Sequence, residues 1–241
     1  MSAQTTLPPA ETPSGASGVH ALFCRIARTY ELANHALTLG LDVIWRNRAA
    51  SIAAGDGGQR WLDVCTGTGD MARALRKRAP QDTLVVGLDF CLPMLQHAKD
   101  PTPLVLSDAR TMPFADNTFD LLTVSFATRN LRSADEALLA TLREFHRVLK
   151  PGGRYVNVET SQPPCPLVRW AFHTFVAVTV RALGGRIAGA GAPYGYLAHT
   201  IPRFHGAPEL AQLISRAGFE DVTYRRMTLG AAAVHRAVKP R

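Results

Sequence analysis

The sequence predicts an α/β domain. Its mostly parallel sheet carries helices on both faces and ends in an antiparallel strand. Three observations predict it. From Trp61 onward, short apolar strands alternate with helical segments, the order that builds a parallel sheet. Phe119–Phe126 is nearly all apolar, as a central strand covered on both faces must be. Trp61–Cys65 runs into a glycine-containing turn and then a helix.

Residues 1–18 hold no Lys or Arg, and Pro8, Pro9, Pro13 and Gly15 interrupt them, so a flexible tail without a signal peptide is expected. A single domain follows over 19–241. Ala21, Leu22, Ile26, Ala27, Leu32 and Leu37 recur at helical spacing, and Gly40 stops that helix. A second helix runs from Leu41 to about Ala53, completing a helical cap over about 19–54, and Gly55–Gly58 is a linker. Strands are expected at Trp61–Cys65, Thr83–Asp89, Pro103–Ser107, Phe119–Phe126 and Arg154–Glu159, with helical segments reaching Arg78 and covering Met94–Ala98. Ser133-Ala134-Asp135-Glu136 fits a capping box. The helix it opens carries Leu138, Leu142, Phe145 and Leu149 on one face, and Pro151-Gly152-Gly153 ends it. Cys165–Ile187 is apolar but broken by Arg169, His173, Arg181 and Arg186, an amphipathic helix or helix pair within an insertion over about 164–206. Pro208 opens a helix that Gly218 closes, and Phe219–Arg226 with Ala231–Val238 forms an antiparallel hairpin at the sheet edge.

Composition narrows the function classes. Hydrophobic residues make up 46% of the 241 and charged residues 19%, which excludes a largely disordered chain. The four cysteines have no C-x-x-C spacing, so no zinc site is expected, and they suit a reducing compartment. No 18-residue apolar run predicts a spanning helix. The net charge of +8 admits plain solubility, nucleic acid or an anionic membrane surface. The basic residues are dispersed and lack an aromatic platform, so no nucleic-acid partner is expected.

The chemistry concentrates in Asp63-Val64-Cys65-Thr66-Gly67-Thr68-Gly69-Asp70. Gly67 and Gly69 let backbone approach a ligand, and the following helix offers free N–H groups. Asp89, at the end of the next strand, is placed to take a ribose diol. NAD and S-adenosylmethionine share that nucleoside part. Asp63 and Asp70 favour the second: carboxylates repel a pyrophosphate and attract an ammonium and a sulfonium. Asp108-Ala109 after the third strand suits an adenine, its amino group on the acid and its ring over the small side chain. Ser125 ends the fourth strand, beside the expected reversal of strand order.

These residues resemble the ubiquinone/menaquinone biosynthesis C-methyltransferases, a class I S-adenosylmethionine-dependent family, over about residues 19–238. The resemblance is carried by Phe23, Tyr30, Asn34 and Trp45-Arg46, by Leu62–Asp70, and by Gly87-Leu88-Asp89-Phe90 with Met94-Leu95. Asp108-Ala109 with Met112-Pro113-Phe114, Tyr194–Ala198 and Ala233–Arg236 add to it. Ser125-Phe126-Ala127-Thr128-Arg129-Asn130 is its most specific block. The chain departs from the family's usual pattern at His35, Ala127, Thr128 and Gly195.

The resemblance implies a Rossmann-like fold with a seven-stranded sheet. It also implies methyl transfer from S-adenosylmethionine to a ring carbon of a polyprenylated quinol. Gly87–Phe90 looks closer to the demethylmenaquinone branch. The implied donor site is Asp63, Thr66, Gly67, Thr68, Gly69, Asp89, Phe90, Asp108, Ala109 and Ser125, with no metal. The implied acceptor site is Arg129, Asn130, Tyr194 and Tyr196. Arg129, four residues past Ser125, is expected over the same crevice as the catalytic group that stabilises a phenolate. A structural Arg held by an acid is the alternative at this position. A cytoplasmic enzyme with peripheral contact to the inner membrane face, a homodimer, and another small acceptor remain open readings.

Overall fold

A computed structural model of the chain describes residues 38–98, 102–184 and 198–241, together with Cys24, His35 and Tyr196. The expected tail and first cap helix, and Tyr194, lie outside the described residues, apart from Cys24 and His35, both helical. Helix α1 (Leu41–Ala54) follows Gly40, whose φ of 78° makes the left-handed turn into it. Strands β1 (Arg60–Val64), β2 (Leu84–Asp89), β3 (Leu104–Leu106) and β4 (Phe119–Ser125) then alternate with helices α2 (Asp70–Arg76) and α3 (Leu92–Gln96). Past β4 come α4 (Thr128–Leu131), α5 (Asp135–Val148), β5 (Leu149–Thr160) and α6 (Pro166–Gly184). Helix α7 (Ala207–Arg216), β6 (Glu220–Met227) and β7 (Ala232–Val238) close the order.

The sheet has seven strands in the order β3-β2-β1-β4-β5-β7-β6. The five strands β1 to β5 are parallel, and β7 is antiparallel to both of its neighbours. The expected hairpin is present, but it is not a simple edge addition. Its second strand sits inside, between β5 and β6.

Alternation along the strands splits the core in two. Leu62, Leu122 and Tyr155 join Leu138, Leu142 and Phe145 of α5 on one face. Their neighbours Trp61, Leu121 and Val156 join Trp45 and Ala49 of α1 with Leu75 of α2 on the other. Trp61, Leu62, Leu121 and Leu122 are all fully buried, so burying each contributes about 1.5–3 kcal/mol.

Two expectations are corrected. The capping box does not form: α5 starts at Asp135 with Ala134 as N-cap and no side-chain cap. Asp135 is drawn instead to Arg132 Nε at 2.7 Å and His205 Nε2 at 3.0 Å, and Glu136 to Arg216 at 3.2 Å. Pro151-Gly152-Gly153 does not separate helix from strand. The helix ends at Val148, Leu149 already pairs with Phe119, and the three residues form an irregularity inside β5 before Arg154 pairs with Leu121. The buried helix face ends at Val148 accordingly.

Among the described residues no helix is long and apolar enough to cross a membrane.

Candidate functional site

Register brings the strand ends to one level. Val64 lies beside Leu88 and Val124, so Cys65, Asp89 and Ser125 emerge together. Asp89 pairs with Leu106, and Asp108 follows shortly after; Ser125 pairs with Val158, and Glu159 follows at once. Between β1 and β4 the strand order reverses, so this edge is where a crevice opens. Cys65 and Phe126, which follow these two strands, both hold φ at 56°, a left-handed conformation that non-glycine residues keep only when surroundings impose it.

The expected donor half is built around Cys65–Gly69. Gly67 and Gly69 have φ of 58° and 83°, and among the described residues a Cβ on Gly67 would meet nothing within 4 Å. Among those residues the space over the loop is open to a ligand. Asp89 Oδ2 accepts the Gly67 N–H at 2.9 Å, and its Oδ1 accepts the Cys91 N–H at 2.9 Å. The carboxylate thereby locks the glycine loop to the turn after β2, which carries Phe90. Asp108 accepts from its neighbour Arg110 through backbone N–H and Nε, both at 2.9 Å, and those bonds hold its carboxyl below the usual range. Ala109 is buried beside it. Burial pushes the half-buried Cys65 thiol far up, and Asp89, Asp63 and Asp108 add to the push.

Asp63 departs from its expected place on the rim. It is fully buried beneath the loop, accepting from Thr66 Oγ1 at 2.6 Å and Thr123 Oγ1 at 2.7 Å. Alternation puts it on the inner face with Trp61, so its role is to brace the loop from below. Burial raises its pKa to about 6 against those two hydrogen bonds and the charge of Arg46. Thr66 and Thr68 are buried as well.

Sequence reasoning gave no role to Arg46 or Asp42. Arg46 donates to Asp42 at 3.3 Å, lies 3.9 Å from Asp70 and sits over the Phe126 ring at 5.6 Å. Asp42 also accepts from Thr38 at 2.7 Å and bonds His35 Nδ1 at 2.8 Å. Helix α1 is thereby tied to both central strand ends.

The expected acceptor half surrounds Arg129 on α4. The structure supplies the acid that the alternative reading required. Arg129 Nη1 donates to Glu159 Oε1 and to Thr160 Oγ1, each at 3.0 Å, and its backbone N–H donates to Glu159 Oε2 at 3.1 Å. Both side chains are buried. The ion pair does not consume the whole guanidinium. Arg129 Nε and Asn130 Oδ1 are buried without a hydrogen-bond partner among the described residues. Tyr196 lies in the same electrostatic neighbourhood: burial raises its pKa, the Arg129 charge opposes this and Glu159 adds to it. Ser125, at the end of β4, stands between the halves. Glu159 was missed, although a carboxylate at the end of a central strand was a readable signal.

The donor set fits a cationic nucleoside. It offers backbone at Gly67, the carboxylates of Asp89 and Asp108 at neighbouring strand ends and a small buried side chain at Ala109. Such a parallel sheet with an inserted antiparallel strand, and such a loop, define a class I S-adenosylmethionine-dependent methyltransferase. Solved structures show the same architecture. An S-adenosylmethionine-dependent methyltransferase of Thermotoga maritima matches with a TM-score of 0.63 at 17% identity, covering 92% of this chain and 99% of that one. Human N-acetylserotonin methyltransferase in complex with SAM matches with a TM-score of 0.60 at 17% identity, over 90% of this chain and 59% of that one.

Residues 11–239 match the model of the ubiE/COQ5 methyltransferase family, and the chain belongs to that family. It is 38% identical to the demethylmenaquinone methyltransferase of Roseiflexus castenholzii, over 97% of both chains. It is 36% identical to the ubiquinone/menaquinone biosynthesis C-methyltransferase UbiE of Cereibacter sphaeroides, over 90% of this chain and 88% of that one.

Proposed function

We propose that the protein methylates a ring carbon of a polyprenylated quinol in quinone biosynthesis, with S-adenosylmethionine as donor and a demethylmenaquinol as the favoured acceptor. One observation carries the reading: Asp89 and Asp108 at neighbouring strand ends flank a glycine loop that Asp63 braces from beneath, beside a buried arginine that Glu159 holds in place. S-adenosylmethionine supplies an electrophilic methyl on a sulfonium. The chain's own residues do the rest. Thr66, Gly67, Thr68 and Gly69 present backbone to the donor, and Asp63 holds that loop from below. Asp89 and Phe90 meet the ribose and adenine side, and Asp108 and Ala109 the adenine edge and ring.

Arg129 stabilises the acceptor's phenolate, and its fixed charge lowers the cost of ring-hydroxyl ionisation. Asn130 and Tyr196, with Tyr194, position the ring, and alignment of carbon with methyl supplies much of the rate. Glu159 keeps the guanidinium oriented. It is a positioning residue.

Helix α6 suits the acceptor's greasy tail. Leu167, Trp170 and Val178 recur at helical spacing and are 72%, 67% and 61% exposed. We place this stripe at the lipid surface where such a substrate resides.

Incubating the purified protein with S-adenosylmethionine and a chemically reduced demethylmenaquinol tests the reading. The expected product is a C-methylated quinol seen by mass spectrometry, and its absence in a folded protein that binds the donor would reject the acceptor. Arg129→Lys is expected to slow turnover about 100-fold or more while donor affinity stays near wild type. Flotation with anionic liposomes at low salt tests the α6 assignment: Trp170→Glu should abolish flotation, and a wild type that never floats, or one that elutes as a dimer burying α6, would overturn it.

A further inference from the structure

Two thiols stand apart from the methyl-transfer groups. Cys24 and Cys91 are 67 positions apart in sequence, yet their Sγ atoms lie 2.7 Å from each other. Both are unbridged cysteines; Cys24 is half-buried and helical, and Cys91 is fully buried at the N-cap of α3. The backbone N–H of Cys91 donates to Asp89, the carboxylate whose other oxygen holds Gly67. The contact therefore joins a residue before α1 to the turn that secures the donor loop.

We propose that Cys24 and Cys91 form a reversible dithiol–disulfide site that fastens the position of Cys24 to the donor-site turn. The two sulfurs need to close by about 0.7 Å to reach bonding distance. A hydroperoxide is the oxidant. Cys24, the thiol with solvent access, attacks a peroxide oxygen as its thiolate; an S–O bond forms, the O–O bond breaks, and the other oxygen leaves, taking a proton, as water or an alcohol. The Cys91 sulfur then attacks the Cys24 sulfur. The S–S bond forms, the S–O bond breaks, and the departing hydroxide takes the Cys91 thiol proton to become water. In sum, two thiols and one hydroperoxide give a disulfide, one water and one alcohol, or two waters from hydrogen peroxide. A thiol reductant returns the pair.

The division of labour follows from environment. Burial, with the Cys24 contact, pushes the Cys91 thiol up to about 12, which disfavours it as the first attacker, and its sulfur 2.7 Å from Cys24 Sγ gives it the resolving role. Cys65 is suppressed by burial and three carboxylates, and Cys165 is exposed and reports nonspecific oxidation. In a reducing compartment such a pair is a sensor rather than a staple. Its effect on turnover rests on the donor-site reading; the bond itself does not.

Full-length protein treated with hydrogen peroxide, alkylated and digested should yield a Cys24–Cys91 cross-linked peptide that dithiothreitol removes. Turnover of the oxidised form should fall about fivefold, the lower end of ordinary coupling between sites, and recover on reduction. Cys24→Ser should give no cross-link, keep the basal activity and resist the same peroxide dose. Should Cys24→Ser fold poorly, Cys24→Ala serves the same comparison. Wild-type protein without that peptide, or equal losses in wild type and variant, would overturn the proposal. A cross-link with unchanged turnover would overturn its regulatory consequence. A cross-link in protein that never binds S-adenosylmethionine would support the dithiol site and refute the donor-site reading instead.

Discussion

At the scale of single residues, burial decides what each charge does. Arg129 and Glu159 are a buried pair, so removing one partner leaves the other uncompensated. Arg129→Ala is expected to cost about 3–5 kcal/mol of stability as well as turnover. Arg129→Met combined with Glu159→Gln removes the stranded charge yet keeps an acceptor for the N–H groups of residues 129 and 160. Denaturant titration should show most of the stability returning while turnover stays low. His235 is buried with Nε2 donating to the Ala207 carbonyl at 2.9 Å, and burial drops its pKa to about 4 against that bond. From the ordinary 6.5 down to 4 the unfolded chain takes up a proton that the native state refuses. Stability contributed above pH 6.5 is thus lost across that window, by about 3 kcal/mol. Asp63 runs the other way: its folded pKa near 6 exceeds 3.8, so its contribution is full below 3.8 and fades as pH rises through 6. In urea titrations over this range, His235→Gln should flatten the acid limb; an unchanged limb would assign it elsewhere. Sequence singled out Asp63 as a candidate without showing which way it faces, and it passed over Glu159. Asp63 looked like a rim residue because the loop signature is one-dimensional. Its inward side is set by pairing with β2 and β4.

At the scale of elements, close approach matters more than propensity. Gly87 in β2 illustrates it: an added Cβ would meet Leu104 Cδ2 at 2.9 Å and Thr66 Cγ2 at 3.0 Å. Gly87→Ala therefore presses the donor loop from beneath. Calorimetric titration should show weaker S-adenosylmethionine binding, about tenfold, with the sheet intact. Six of the seven strands were legible to within a residue because apolar runs and glycine turns mark them, whereas β5, expected from Arg154, starts at Leu149. The capping box misled because Arg216 draws Glu136 away from the helix start, and that partner comes from an element 80 residues distant in sequence. Pro151-Gly152-Gly153 misled because the same residues that stop helices also make irregularities in strands.

At the scale of the whole molecule, the alternating strands and helices announced the parallel sheet, and the reversal between β1 and β4 followed from the fold class. The inward place of β7 did not follow from local pattern. A hairpin reads alike whether its first or second strand meets the sheet, and only long-range pairing of β7 with β5 decides it. Removing residues 232–241 should consequently unfold the protein rather than trim it, since β7 carries ladders on both sides and Ala232, Ala233, Val234 and Ala237 are buried. Circular dichroism of the truncated chain would show this. A truncated form that melts cooperatively near the wild-type temperature would refute it.

That same placement sets an order of events during synthesis. β6 leaves the ribosome before the strand that must lie between it and the rest of the sheet. Until β7 follows, β6 has nowhere to dock, and the backbone edge of β5 stays open to strands of neighbouring nascent chains. A stall that leaves the chain emerged only as far as Met227 should therefore raise aggregation, whereas a stall on an appended C-terminal extension that lets Val238 emerge should be harmless.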